Sequence, residues 1–87
     1  MRKEIKQEIQ RQMKEILDLD FPLESIMMNS KMLEELKKAK ALENRDHEYT
    51  LHGMIVIIDE AMEDNKVKCL TRKCFRKQLE EIKNGKK

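Results

Sequence analysis

Glycine, proline and aromatic side chains are scarce in this 87-residue sequence. Its two glycines, Gly53 and Gly85, cannot form a Gly-rich loop of the kind that cradles phosphate groups. Its three aromatic residues, Phe21, Tyr49 and Phe75, are too few and too scattered to form a platform on which nucleic-acid bases stack. The sequence therefore excludes a phosphate-binding loop and an aromatic base-stacking surface.

Long apolar runs are missing as well. No window approaches the roughly 20 apolar residues that a membrane-spanning helix needs, and no secretory signal pattern is visible. The chain has only two cysteines. We therefore expect a soluble protein in the reducing environment of the cytoplasm.

Charged side chains are abundant and unevenly distributed. They make up 41% of the chain, with a net charge of only +2. By residue count the formal charge is −1 for residues 1–24, −4 for residues 25–65 and +7 for residues 66–87. This polarity indicates a nucleic acid, an acidic protein or a neighbouring subunit as partner. A chain this short gains stability from a second copy, so a homo-oligomer is one expectation.

The segment 51–58, LHGMIVII, is the most apolar stretch. Isoleucine and valine favour β-structure, and five consecutive apolar residues are typical of a strand that is buried on both faces. Gly53 predicts a bend where this strand begins. We expect residues 49–58 to form one central strand, sandwiched between amphipathic helices.

The remaining elements follow from periodicity and from residues that start or stop helices. Pro22 predicts an extended linker after the first helix. Asn29 or Ser30 is expected to cap the second helix, Thr71 the third, and Gly85 to end it. A loose antiparallel hairpin is expected to pair segment 51–58 with segment 66–71. The prediction is a small single α+β domain, 1–87, of about three strands with helices packed on the sheet, in the order α-β-α-β-β-α: helix 2–17, strand 24–28, helix 31–42, strand 49–58, strand 66–71 and helix 72–84.

The middle of the chain resembles the axial-domain core of the tailed-phage major capsid fold. That core has a strand ending in a Met-Asn-like corner, a short helix, a strand of the Leu-x-Gly-x-x-Val type, an acidic turn with a Met-like residue, and a strand that closes the pair. The matching pieces, within residues 26–70, are Ile26, Met27, Met28 and Asn29, the helix 31–38, then Leu51, Gly53, Met54 and Val56, then Asp59, Glu60, Ala61 and Met62, and finally residues 67–70.

The family's spine helix, extended loop and peripheral domain do not fit into 87 residues. The resemblance therefore implies a small phage or mobile-element protein with a compact version of that core. It also implies that the protein resides in the host cytoplasm or is associated with the virion. Capsid or host proteins are the partners that follow from it.

Residues with metal-binding or nucleophilic side chains do not combine into a motif. His47, His52, Cys69 and Cys74 could supply a tetrahedral zinc site, but four residues separate each pair and Arg72 and Lys73 lie between the cysteines. Cys74 lies among cations near a helix start, yet no base accompanies it. The acidic turn, with Asp59, Glu60, Glu63 and Asp64, lacks EF-hand spacing. We predict no catalytic residue, no cofactor and no metal.

The basic C-terminal helix is the remaining candidate site. One face of it is apolar, with Phe75, Leu79 and Ile82. The candidate partner- or nucleic-acid-binding residues are Arg72, Lys73, Arg76, Lys77 and Lys83. Such a face could lie along a phosphate backbone, or it could simply be solvated.

These patterns predict a non-enzymatic protein-binding module of a phage or mobile element. It would act in capsid or virion assembly, or inhibit a host or competing-phage protein, with strands 51–58 and 66–71 as the interface scaffold. The alternative is a nucleic-acid-binding regulator that uses the basic C-terminal helix.

Overall fold

A mixed β-sheet is the framework of the fold. The computed structural model describes residues 2–45 and 48–85. Within them, five strands form one sheet and three helices accompany it. The elements in chain order are α1 (Lys3–Asp18), β1 (Leu23–Met28), α2 (Ser30–Lys38), β2 (Glu43–Arg45), β3 (Glu48–Leu51), β4 (Met54–Ile58), β5 (Lys68–Thr71) and α3 (Lys73–Lys83). The strand order is β2-β3-β4-β1-β5, so β4 is the middle strand.

The predicted α+β class is confirmed, but about three strands is an undercount. The predicted strand 49–58 is two strands, β3 and β4, joined by a tight turn. His52 and Gly53 both have positive φ, 51° and 82°, as hairpin turns of the I′ class require. The bend predicted at Gly53 is therefore confirmed, and it reverses the chain. A further short strand, β2, lies between the predicted helix 31–42 and the predicted strand 49–58, where no element was predicted.

The predicted hairpin between segments 51–58 and 66–71 is wrong. β1 lies between β4 and β5, parallel to β4 and antiparallel to β5. In the register, Ile26 of β1 is opposite Val56 of β4 and Cys69 of β5. Because parallel neighbours need a crossover connection, the chain leaves β1 through α2 and the β2–β3 hairpin before it returns as β4. β1 therefore pairs with both β4 and β5, which do not pair with each other.

The helix ends depend on local backbone and side-chain groups. The side chain of Asn29 accepts a hydrogen bond from the Met32 N–H at 2.9 Å, which confirms Asn29 as the α2 cap. The chain turns away at Lys40, with φ 55°, so α2 ends before the predicted Leu42. The predicted Thr71 cap is wrong, because Thr71 Oγ1 donates to the Pro22 carbonyl and Arg72 occupies the cap position. Gly85 follows α3 with φ 71°, as predicted.

All three helices contribute to one hydrophobic core, on one face of the sheet. Ile9 of α1, Leu36 of α2 and Leu79 of α3 are buried in the same cluster as Ile26 and Met28 of β1. Side chains of a strand alternate between the two faces, so Met27 points away from this core. The helices thus form a single layer on the sheet. The expectation that the central strand is sandwiched between helices is wrong.

Gln12 of α1 closes the outer edge of β5. Its side-chain amide donates to the Val67 carbonyl at 2.9 Å, and its carbonyl oxygen accepts from the Cys69 N–H at 2.7 Å. The same amide donates to Glu8 at 2.7 Å. Both backbone groups lie on the edge of β5 that has no neighbouring strand. The side chain therefore replaces a sixth strand and protects this edge from pairing with other chains.

Replacing Gln12 with methionine tests this role. The substitution keeps the length of the side chain but leaves the Val67 carbonyl and the Cys69 N–H without partners. We expect the free energy of unfolding in urea to fall by roughly 2–3 kcal/mol, because each unsatisfied buried group costs about 1–3 kcal/mol. Gln10→Met, at an exposed position of the same helix, is the control and should change stability little. A loss below about 0.5 kcal/mol for Gln12→Met would contradict the role.

Glu8 supports Gln12 and links this contact to pH. Hydrogen bonds from Arg11 and Gln12 lower the pKa of Glu8 from 4.5 to about 2. A carboxyl group with a lower pKa in the folded state stabilises the protein at neutral pH, and this contribution is lost as pH falls from about 4.5 to about 2. We expect Glu8→Gln to make urea stability less dependent on pH between 6 and 2, whereas Glu4→Gln should retain the wild-type slope. Identical slopes for wild type and Glu8→Gln would show that Glu8 has no such effect.

Candidate protein-binding surface

The face of the sheet opposite the helices presents apolar side chains on three adjacent strands. Ser25 and Met27 of β1 are opposite Ile55 and Ile57 of β4 in the register, and Ser25 is also opposite Leu70 of β5. Paired residues project to the same face. None of these five residues belongs to the core cluster beneath the helices. We call this set, Ser25, Met27, Ile55, Ile57 and Leu70, the open sheet face.

The middle of the open sheet face is accessible to solvent. Ile55 is 43% exposed, and Met27 and Ile57 are partly exposed. Ser25 and Leu70 are buried, so the exposed area is concentrated on β4 and on Met27. Isoleucine and methionine side chains in water are unfavourable relative to burial by about 1.5–3 kcal/mol each when burial is complete. A partner that covers this stripe would recover part of that free energy.

Polar residues border the apolar stripe on both sides. Lys68 of β5 is opposite Met27, and Thr50 of β3 is opposite Ile55. Glu43 of β2 is in turn opposite Thr50. An apolar centre with a polar rim is the arrangement found in protein–protein interfaces, and contiguous exposed apolar patches often have such a function. The open sheet face is therefore the candidate protein-binding surface.

The sequence predicted the apolar residues of this surface but not their exposure. Segment 51–58 was expected to be buried on both faces, whereas Ile55, on the open sheet face, is 43% exposed. Whether the second face of the sheet is buried or exposed depends on whether any helix is available to cover it. One five-stranded sheet has two faces, and the helices of the described chain all pack on one of them. The proposed scaffold of paired strands 51–58 and 66–71 is replaced by β4 and β1.

The five candidate residues of the C-terminal helix have different environments. Arg76 is only partly exposed and donates to the Thr71 carbonyl and to the Glu24 carboxylate, both at 3.0 Å. Lys83 lies 3.5 Å from Glu15 of α1. Both side chains therefore attach α3 to neighbouring elements. Arg72, Lys73 and Lys77 are exposed.

The outward face of α3 is mixed in charge. Glu80 and Glu81 are exposed on the same helix as Lys73 and Lys77, and Glu80 lies 3.7 Å from Lys68. A phosphate backbone binds best to a continuous basic surface. Residues 72–83 thus offer four exposed cationic side chains, of which Lys83 lies 3.5 Å from Glu15, beside two carboxylates, which is less than the sequence indicates.

Two charge reversals distinguish attachment from solvation on α3. Arg76→Glu places a carboxylate beside Glu24 and removes the bond to the Thr71 carbonyl. We expect it to lower the free energy of unfolding by about 1–2 kcal/mol, since a charged hydrogen bond is lost and a like-charge contact is created. The matched control, Lys77→Glu, should change it by less than about 0.5 kcal/mol. Equal effects of the two variants in urea unfolding would refute the structural role of Arg76.

The two cysteines differ in environment, and neither belongs to a group of side chains that could hold a metal ion among the residues that the structure describes. Burial, followed by the charge of Glu8, raises the pKa of the Cys69 thiol to about 11. Cys74 is exposed, and both thiols are free. No group of three His, Cys, Asp or Glu side chains could hold a metal ion within residues 2–45 and 48–85. His47, one of the candidate zinc ligands, lies outside the described residues.

The acidic turn after β4 fastens the start of α2. Glu60 accepts hydrogen bonds from the Ser30 N–H and from Ser30 Oγ, both at 2.7 Å. Asp64 accepts from Lys31 at 3.2 Å and from Asn29 Nδ2 at 2.8 Å. These bonds lower the pKa of both carboxyl groups. The turn borders an open depression of about 510 Å³, but its carboxylates are used to hold the helix N-terminus, where negative charge is favourable.

Comparisons of the chain with models of protein families, with curated proteins and with solved structures found no match. In the part of the chain that the structure describes, no helix combines the length and the apolar composition needed to cross a membrane.

Proposed function

We propose that this chain is a non-enzymatic protein-binding module that binds its partner through the open sheet face. The observation that supports the proposal is the exposure of Ile55, at 43%, on the middle strand of the sheet. Met27 and Ile57 extend the apolar stripe across two strands. The polar rim gives the surface a boundary, and rim charges contribute to the choice and orientation of a partner.

The biological setting we propose is a phage or a related mobile element. The resemblance of residues 26–70 to the axial-domain core of the tailed-phage major capsid fold supports this setting. Two roles fit a small module without catalytic residues. It could take part in capsid or virion assembly, or it could bind and inhibit a host or competing-phage protein. In both roles the open sheet face is the contact surface.

An affinity experiment with three versions of the tagged chain tests the proposal. Ile55→Lys places a charge in the centre of the open sheet face and should abolish capture of the partner, because burying an unpaired charge is costly. Leu17→Lys is the matched control, since Leu17 is 51% exposed on α1, which packs on the other face of the sheet. Proteins recovered from infected or expressing cells should be retained by wild type and Leu17→Lys and lost with Ile55→Lys.

The recovered proteins also distinguish the two roles. Capsid subunits would support assembly, and a host or phage enzyme would support inhibition. The proposal is contradicted if all three versions recover the same proteins in equal amounts. It is also contradicted if wild type recovers no specific partner, including an untagged copy of the chain.

We place nucleic-acid binding by α3 second. Arg72, Lys73 and Lys77 are exposed, whereas Arg76 and Lys83 contact carboxylates of other elements. This alternative requires a shift of duplex DNA or RNA at low salt that weakens steeply as salt rises and weakens further in Lys73→Glu/Lys77→Glu. Absence of a shift at low salt would exclude it.

A further inference from the structure

We propose that the partner of the open sheet face is a second copy of this chain, packed sheet against sheet about a two-fold axis that runs parallel to the strands over β4. This inference depends on the proposed function, in that it assumes the open sheet face to be a protein-binding surface. It goes further by naming the occupant and the geometry. The position of the apolar stripe and the charges of the two sheet edges support it.

The position of the stripe suits a two-fold contact. A symmetric interface uses the same patch on both copies, so residues near the axis meet their own equivalents. β4 is the third of five strands, and it carries Ile55 and Ile57. An axis over β4 therefore places these side chains against the same side chains of the partner. Apolar residues tolerate such self-contact, whereas like charges on the axis would repel each other.

The charges of the two sheet edges are complementary under the same axis. The strands β2 and β3 carry two acidic residues, Glu43 and Glu48, and one basic residue, Arg45, a formal charge of −1. Residues 66–71, which include β5, carry two basic residues, Lys66 and Lys68, and no acidic residue, a formal charge of +2. The strand order separates these segments to opposite edges of the sheet. A two-fold rotation about an axis along β4 places the acidic edge of each copy near the basic edge of the other.

Individual rim residues have the same complementarity. Lys68 lies on the β5 side of the open sheet face, opposite Met27 in the register. Glu43 lies on the β2 side of the same face, as its pairing with Thr50 shows. Lys68 and Glu43 are both exposed, and Lys68 also lies 3.7 Å from Glu80 of its own copy. Across the proposed interface, Lys68 of one copy would be near Glu43 of the other, and symmetry would repeat this contact once.

A two-fold axis between two packed sheets can run along the strands or perpendicular to them. The charges favour the axis that runs along the strands. An axis perpendicular to the strands would place β5 against β5 and bring Lys68 near Lys68. The axis along β4 avoids this repulsion. It also keeps the strands of the two sheets nearly aligned, which is a common way for sheets to pack, at about 10 Å separation.

The size of the face predicts a weak dimer. Five strands about 4.8 Å apart and on average between four and five residues long outline roughly 24 by 15 Å, or about 360 Å² per copy. A standard interface buries about 800 Å² per partner. The chain should therefore exchange between monomer and dimer over accessible protein concentrations.

Analytical ultracentrifugation of the full chain over a range of concentrations tests the inference. Wild type and Leu17→Lys should dimerise to the same extent, and Ile55→Lys should remain monomeric at every concentration. Circular dichroism establishes that all three are folded. Monomeric wild type at the highest concentration overturns the inference, and so does a dimer that persists in folded Ile55→Lys.

Charge reversal tests the orientation of the two copies. Lys68→Glu should weaken dimerisation by about tenfold, because it replaces two attractions with two repulsions. Glu43→Lys should weaken it similarly, and the double variant Lys68→Glu/Glu43→Lys should recover most of the wild-type affinity. Additive weakening in the double variant overturns the proposed axis.

The two proposals fail in different ways. Wild type that is monomeric, but that captures another protein through Ile55 in the affinity experiment, contradicts only the dimer. Capture that is insensitive to Ile55→Lys, in a chain that does not dimerise, contradicts the use of the open sheet face altogether.

Discussion

One layer of helices covers one face of a sheet that is apolar on both, and the rest of the structure depends on this constraint. The alternation of side chains places Val56 of β4 toward the helices and Ile55 and Ile57 away from them. A sheet with one solvated face normally has polar residues there. Here the central strand keeps isoleucine on the solvated face, so the sequence of β4 suits a strand that is covered on both sides.

The two edges of the sheet are protected from pairing with other chains, whereas its open face is exposed. The side chain of Gln12 satisfies the free backbone groups at Val67 and Cys69, so β5 offers little opportunity for another strand to pair. At the other edge, β2 has only three residues, and short edge strands likewise discourage pairing. Association through side chains of the open sheet face is therefore favoured over association through strand edges.

Local signals in the sequence predicted local structure well. The cap at Asn29 and the bend at Gly53 depend on neighbouring residues, and both are confirmed. Strand partners were not predictable in this way, because an alternating pattern defines the faces of a strand and not its neighbours. The chain crosses over through α2 after β1, and this crossover allows β1 to lie between β4 and β5.

The environments of the candidate site residues were not predictable from the sequence either. Arg76 looked like a surface cation because its partner Glu24 is 52 residues away. Exposure of Ile55 was missed because apolar residues have the same pattern on a covered and an uncovered face.

The accessibility of the isoleucine methyl groups to a soluble paramagnetic probe, measured by NMR in dilute solution, tests the central claim most directly. The Ile55 methyl signals should broaden strongly, as those of exposed Leu17 do, while those of Ile9 and Ile26 should remain sharp. Ile55 should become protected when the partner is bound. Methyl groups of Ile55 that are as protected as those of Ile9 in the dilute monomer would contradict the account, because the sheet would then have no open face.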